Sequence, residues 1–165
     1  MDILEIFERI KGDLVDDGYD IVEENLTKPW GGYYRLNNEN AEKFIEQYFV
    51  GTTIDEARLG NPDVEISPKI LMVNPASRLS WQYHHRRAEK WHFISDGLYS
   101  VSDTDEQTEP ILAPKGTVIQ IDGEQRHRLI GGDNYTIVAE IWQHIEPGNL
   151  SDEEDIIRVQ DDYSR

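Results

Sequence analysis

The chain contains no cysteine. Disulfides, thiolate metal sites and cysteine nucleophiles are therefore excluded, and any metal must be held by histidine, carboxylate, amide or water. Positive charge is also scarce: sixteen lysines and arginines stand against thirty-three aspartates and glutamates, a formal net charge of −17. Such a field repels phosphate backbones and anionic membrane surfaces, so neither nucleic acid nor membrane is an expected partner. No apolar run reaches eighteen residues. The start "MDILEIFERIKGD" is amphipathic and acidic, without the basic and apolar stretches of a secretion signal, so a cytoplasmic location is expected. Internal repeats and low-complexity linkers are absent as well, and 165 residues suffice for one domain with its own core.

What basic charge there is falls unevenly. Arg78, Arg86, Arg87 and Lys90 lie in or beside "SWQYHHRRAEKWHF" (residues 80–93), and Arg126 and Arg128 flank His127. A local basic pocket in an acidic chain suits a small anionic ligand.

Helical spacing is confined to the first third. Ile3, Leu4, Ile6, Phe7 and Ile10 share a helical face behind a capping Asp2, and Ala41, Phe44, Ile45, Tyr48 and Phe49 form a second such face ending at Gly51. Between them, "TKPWGGYYRL" marks a turn before a strand. From Ser67 the texture changes to short β-branched and aromatic runs separated by turn residues: "KILMVNP", "LSWQYHH", "EKWHFISDG", "LYSVSD", "TVIQIDG", "RHRLIGGDN" and "YTIVAEIWQH". Such a series predicts an antiparallel sandwich or barrel. The acidic end "EPGNLSDEEDIIRVQDDYSR" is expected to be a solvated tail with one docked strand or short helix, anchored by Ile156, Ile157 and Val159.

Alternate side chains of a strand share a face, so Gln82 and His84 point the same way and Glu89 returns on the adjoining strand. His127, between a turn and another strand, can supply a fourth donor. Two imidazoles, one amide and one carboxylate suit Zn²⁺, Mn²⁺, Fe²⁺ or Co²⁺ with a position left for water or substrate.

The pattern Q-x-H-x4-E followed some forty residues on by H-R-L resembles the two motifs of the cupin superfamily, with Gln82 in place of the first histidine. Together with "KPWGGYY" and "IIRVQDDYSR", the stretches "LSWQYHHRRAEKW" and "RHRL" resemble the mannose-6-phosphate isomerase domain of type II phosphomannose isomerases. The resemblance runs from Lys28 to Arg165, without the guanylyltransferase domain that usually precedes it, so the chain looks like a stand-alone version. It departs from the family where Arg86 replaces a third consecutive histidine, Lys90 replaces a histidine, and Asp122, Gly123 and Glu124 replace a P-x-G turn. The helical stretch from about Asn40 to Ser67 is also longer than the family's.

The resemblance implies a mostly β, single-domain cupin (a jelly-roll barrel) over 28–165, with a helical insertion near 40–50 and a helical segment over 1–27. It implies Gln82, His84, Glu89 and His127 as ligands of a divalent metal, Zn²⁺ first with Mn²⁺, Co²⁺ or Fe²⁺ as alternatives. The reaction implied is metal-dependent aldose–ketose isomerisation, mannose 6-phosphate to fructose 6-phosphate through an enediol. Arg87 is the first choice for anchoring phosphate or orienting sugar oxygens, and Arg128 the second. Lys90, Glu140, Lys28 and His85 are candidates for the base, with His85 disfavoured because a regular strand points it away from His84. Trp30 can line the sugar site, as can Tyr33, Trp91 and Trp142, whose other role is core. The expected partner is a small sugar phosphate. Edge strands make a homodimer reasonable. Three alternatives stand beside this: isomerisation of another sugar phosphate such as a heptose phosphate, a non-catalytic sugar-binding cupin, and a metal-dependent dioxygenase.

Overall fold

A computed structural model describes residues 1–165. Helix α1 (Ile3–Asp16) starts at a capping box in which Asp2 and Glu5 satisfy each other's backbone N–H, and it buries Ile6, Phe7, Ile10 and Leu14. The chain then forms a hairpin of β1 (Ile21–Lys28) and β2 (Gly31–Leu36), turning at Pro29 and Trp30. Gly31 has φ +147°, and a Cβ there would overlap the Met72 carbonyl oxygen, so no larger residue fits this turn. Helices α2 (Ala41–Tyr48) and α3 (Ile54–Ala57) follow, and the remainder is strand and loop. No helix is long and apolar enough to cross a membrane.

The later strands are β3 (Lys69–Val73), β4 (Trp81–Tyr83), β5 (Arg87–Phe93), β6 (Gly97–Ser102), β7 (Ile111–Ala113), β8 (Val118–Ile121), β9 (Arg126–Gly131), β10 (Thr136–His144) and β11 (Ile157–Gln160). They form two antiparallel sheets, ordered β1-β2-β3-β10-β5-β8 and β11-β4-β9-β6-β7. The first sheet is buried on both faces at its centre. On one face Ile70, Met72, Ile137, Ala139 and Ile141 meet Phe7, Phe44 and Ile45 of the helices. On the other, Leu71, Val73, Trp91, Phe93 and Val138 meet Leu129 of the second sheet. Each such side chain contributes roughly 1.5–3 kcal/mol by leaving water. This double burial explains why "KILMV" and "TIVAEIW" read as continuous apolar runs. It also fixes the interior row: Lys69 and Glu140 are register partners, as are Glu140 and Trp91, and Trp142 and Glu89.

Two boundaries differ from the sequence reading. The stretch 1–27 is not helical throughout, because β1 occupies most of its second half. That strand is an edge with alternating half-buried and exposed residues and few β-branched ones, so its pattern is weak. The acidic tail does dock one strand, β11 on β4, but its Ser151 and Asp155 are buried rather than solvated.

Candidate metal centre and active site

Strand alternation and two short turns bring His84, Glu89 and His127 together, one ligand atom from each lying within 4.8 Å of the others. His84 follows β4 directly, Glu89 sits in β5, and His127 in β9. All three are buried. His84 Nδ1 lies 2.7 Å from the Asp155 carbonyl and His127 Nδ1 lies 2.8 Å from the Gln125 carbonyl. A carbonyl only accepts, so each Nδ1 carries the proton and each Nε2 presents a lone pair. These two Nε2 atoms face each other at 3.2 Å.

Glu89 completes the convergence. Its Oε2 accepts from Arg87 Nε at 3.0 Å and lies 3.5 Å from His84 Nε2. Its Oε1, 3.4 Å from His127 Nε2, is the one buried side-chain polar atom without a hydrogen-bond partner. Two imidazole lone pairs and an orphaned carboxylate oxygen aimed at one point form a site for a cation, and the donor set matches a divalent metal of the zinc type. Burial first, then Arg87 and His127, pushes His84 down to about 4, so it is neutral and able to ligate at physiological pH. Burial pushes the Glu89 carboxyl up, but its surroundings outweigh this and hold it well below the ordinary value, the fixed cation among them being Arg87, which donates to Oε2. Gln82 is the register partner of His127 and so shares its face. Its amide oxygen accepts from Ser80 Oγ at 2.6 Å, which fixes the side chain beside the trio.

Next to this cluster is a cavity of about 100 Å³ inside the barrel. Gln82, Arg87, Glu89 and Glu140 line it on the metal side, and Lys28, Trp30, Lys69, Arg158 and Arg165 line it elsewhere. Glu140 accepts from the indole N–H of Trp91 at 3.0 Å and of Trp142 at 3.2 Å. Burial, then the charge of Glu89, raises its pKa to about 7 despite Lys69 and Arg87. A carboxyl poised there can take or give a proton near neutrality. Burial, then Arg165, lowers the Lys28 pKa from its ordinary value, the mark of cations gathered around one space. Neither Lys28 nor Arg158 makes an ion pair.

The sequence-predicted residues divide accordingly. Gln82, His84, Glu89, His127, Glu140, Lys28 and Trp30 are brought to the centre or its cavity. Arg87 is there too, but its guanidinium is already engaged. It stacks on Trp142 at 3.7 Å and donates to Glu89, Ser151 Oγ, the Asp152 carbonyl and, at 3.4 Å, His84 Nε2, so it orients the ligand side chains more than it reaches for substrate. Lys90 corrects an expectation: one residue after Glu89, it points to the opposite face of β5, away from the cavity. Arg128 corrects another. Adjacent to His127, it faces out of the barrel, where it donates to the Leu79 carbonyl, Gln107 and Gln160. Its role is to tie β9 to the 103–108 loop and β11. His85 is exposed beside Glu124, outside the cavity.

Sequence reasoning missed Lys69, Arg158, Arg165 and Asp155. Asp155 accepts from the backbone N–H of His85 and Arg86 and from Ser151 Oγ, while its own carbonyl holds His84. The signal for Lys69 was a lone cation heading an apolar strand. For Arg158 and Arg165 it is the pair of cations in "IIRVQDDYSR"; Asp155, just before that stretch, carries no local signal.

A two-sheet antiparallel barrel with a histidine–carboxylate centre between its sheets defines a cupin. Residues 62–161 match the family described as mannose-6-phosphate isomerase C-terminal, and the chain belongs to that family. It is 36% identical over 97 residues to the alginate biosynthesis protein AlgA of Pseudomonas aeruginosa, a match covering 59% of this chain and 19% of that protein. Its fold is similar to that of the capsular polysaccharide assembling protein CapF from Staphylococcus aureus (TM-score 0.58, 15% identity, 88% of this chain and 34% of that one). It is also similar to that of tomato vicilin (TM-score 0.50, 15% identity, 78% of this chain and 32% of that one). The chain thus spans about a fifth of the curated relative and about a third of each of these structures.

Proposed function

We propose that this protein is a metal-dependent aldose–ketose isomerase of small sugar phosphates, with interconversion of mannose 6-phosphate and fructose 6-phosphate as its reaction. The observation that carries the reading is the orphaned Glu89 Oε1 facing two imidazole lone pairs on the wall of a cation-lined cavity. His84, Glu89 and His127, with Gln82 as the fourth donor, are the residues to hold the metal, zinc being the first choice. When bound, such an ion polarises the sugar's carbonyl and hydroxyl oxygens and stabilises negative charge developing on them.

The protein's own groups account for the rest. Glu140, with a pKa of about 7, takes the proton from C2 of the aldose and returns it to C1 of the enediol. The Trp91 and Trp142 indoles hold its carboxylate in place for that transfer. Lys28 and Arg158, which lack ion-pair partners, and Arg165 supply the positive charge that receives the phosphate. Trp30, buried at the cavity, offers an apolar face to the sugar.

The test is formation of fructose 6-phosphate from mannose 6-phosphate by chelated protein given back Zn²⁺, Mn²⁺ or Co²⁺, with Glu89→Gln as the comparison. Metal-dependent turnover that disappears in the variant supports the reading. Turnover of a different aldose phosphate alone would keep the chemistry and change the substrate. Stoichiometric metal without turnover of any aldose phosphate would leave a binding cupin.

A further inference from the structure

Lys69 stands apart from the other cations of the cavity. Its residue is only 4% exposed, and its ammonium lies over the rings of Trp142 at 4.2 Å and Tyr33 at 5.2 Å. An ammonium has three donors, yet this one makes a single hydrogen bond, to Glu153 Oε1 at 2.9 Å. The partner is its opposite in setting, with a side chain 68% exposed on the segment between β10 and β11.

We propose that Glu153 is a tethered competitor for the ligand's anionic group: its carboxylate occupies the place on Lys69 that a phosphate or other small oxyanion takes, and it is displaced when ligand enters. This inference deepens the sugar-phosphate reading and rests on it for the ligand's class. Three observations support the exchange. Glu153 lines the inner cavity together with Lys28 and Arg87. Protein mass around it disfavours its charge, but Lys69, Arg87 and Lys28 outweigh this and hold its pKa below the ordinary value, so its carboxylate lies within the field that an incoming anion would feel. The segment is also anchored without it. Ser151 Oγ donates to Asp155 at 2.7 Å, Arg87 donates to the Asp152 carbonyl at 3.0 Å, and Asp155 caps the His85 and Arg86 N–H groups. Glu153 can therefore swing into solvent while the metal-side contacts stay in place. Its removal exposes an ammonium with three free donors directly across the β3–β10 ladder from Glu140, where it faces the same space.

The experiment titrates inorganic phosphate into the purified full chain by calorimetry, at matched metal content, for wild type, Glu153→Gln and Glu154→Gln. Glu154 is the exposed neighbour without an ion pair, so its variant makes the same change in net charge. The expected result is that Glu153→Gln binds phosphate about threefold to fivefold more tightly than wild type, the upper part of the range of one partly exposed ion pair, while Glu154→Gln changes affinity by less than about twofold. The gain should vanish when Glu153→Gln is combined with Lys69→Met, compared with Lys69→Met alone. Equal affinities for the Glu153 and Glu154 variants would overturn the proposal, as would a gain that persists without Lys69 or an absence of phosphate binding in all proteins. Because Glu153 is exposed, its variant tests the idea even if Lys69→Met fails to fold. Failure of the isomerase reading would appear separately, as absent turnover in a wild-type protein that still shows the phosphate pattern.

Discussion

Replacing Glu140 by glutamine should change stability by an amount that depends on pH, and the dependence can be worked out in advance. The folded protein raises this carboxyl from an ordinary 4.5 to about 7. Since the folded state then holds the proton more tightly than the unfolded chain, stability falls as pH rises between those values. The resulting penalty from Glu140 is about 1 kcal/mol at pH 5 and about 3 kcal/mol at pH 8. Glutamine removes this penalty but introduces another. Both Trp91 and Trp142 donate to the carboxylate, and an amide has one acceptor oxygen, so one indole N–H is orphaned at about 1–3 kcal/mol regardless of pH. Glu140→Gln should therefore be near neutral or somewhat destabilising at pH 5, and near neutral or stabilising at pH 8. The swing between the two is about 2 kcal/mol. Urea denaturation of metal-free protein at both pH values measures it, because contributions common to both proteins cancel in the difference. At the same time kcat should fall by on the order of 10²–10⁴, the worth of a general base. A stability difference that stays constant from pH 5 to pH 8 would refute the claim that burial and Glu89 hold Glu140 near neutrality.

Other consequences are simpler. Asp155→Asn loosens the clamp that aligns His84, so metal affinity measured by competition with a chromophoric chelator should drop by about tenfold to a hundredfold. Arg128→Met leaves the Leu79 carbonyl, Gln107 and Gln160 without their donor, and thermal melts should show a loss of about 1–3 kcal/mol with KM unchanged. Lys90→Met should leave both kcat and KM within about twofold of wild type, since Lys90 is half-buried on the face of β5 away from the cavity and its side chain holds nothing in the centre. Saturating zinc at about 100 times its Kd should stabilise the wild type by about 2.7 kcal/mol over the chelated form, read as a shift in Tm.

Much of the centre was legible in the sequence because strand period is a local property. Gln82 and His84 share a face by spacing alone and Glu89 returns after one short connection, while His127 arrives on β9 after three further strands; the structure brings His84, Glu89 and His127 together and pairs Gln82 with His127. The same rule disposes of Lys90 and Arg128. Each is adjacent to a ligand and therefore turned away from it, a geometry that positive charge alone does not reveal. The cupin barrel was legible for a similar reason, its strands being short and β-branched. What stayed hidden is non-local. Asp155 lies 71 residues from the His84 ring it holds, and nothing near either residue announces the contact. Lys69 is paired with Glu153 across 84 residues, so its place in the cavity wall follows only once β3 is set beside β10. The hairpin β1–β2 was obscured because its outer strand has no buried face to impose a period.

The double burial of the first sheet bears on how faithfully this chain must fold. Along β10, residues that serve the barrel interior (Val138, Glu140, Trp142) alternate with residues that serve the helices (Ile137, Ala139, Ile141). A pairing error of one residue would exchange the two rows, thrusting Glu140 against Phe44 and Ile45 and leaving the cavity lined with aliphatic groups. Such a misfolded chain would confront an uncompensated charge with an oily surface. The polar residues of the cavity thus also proofread the strand alignment, and a sequence that lost them would lose a guard against its own mispaired forms.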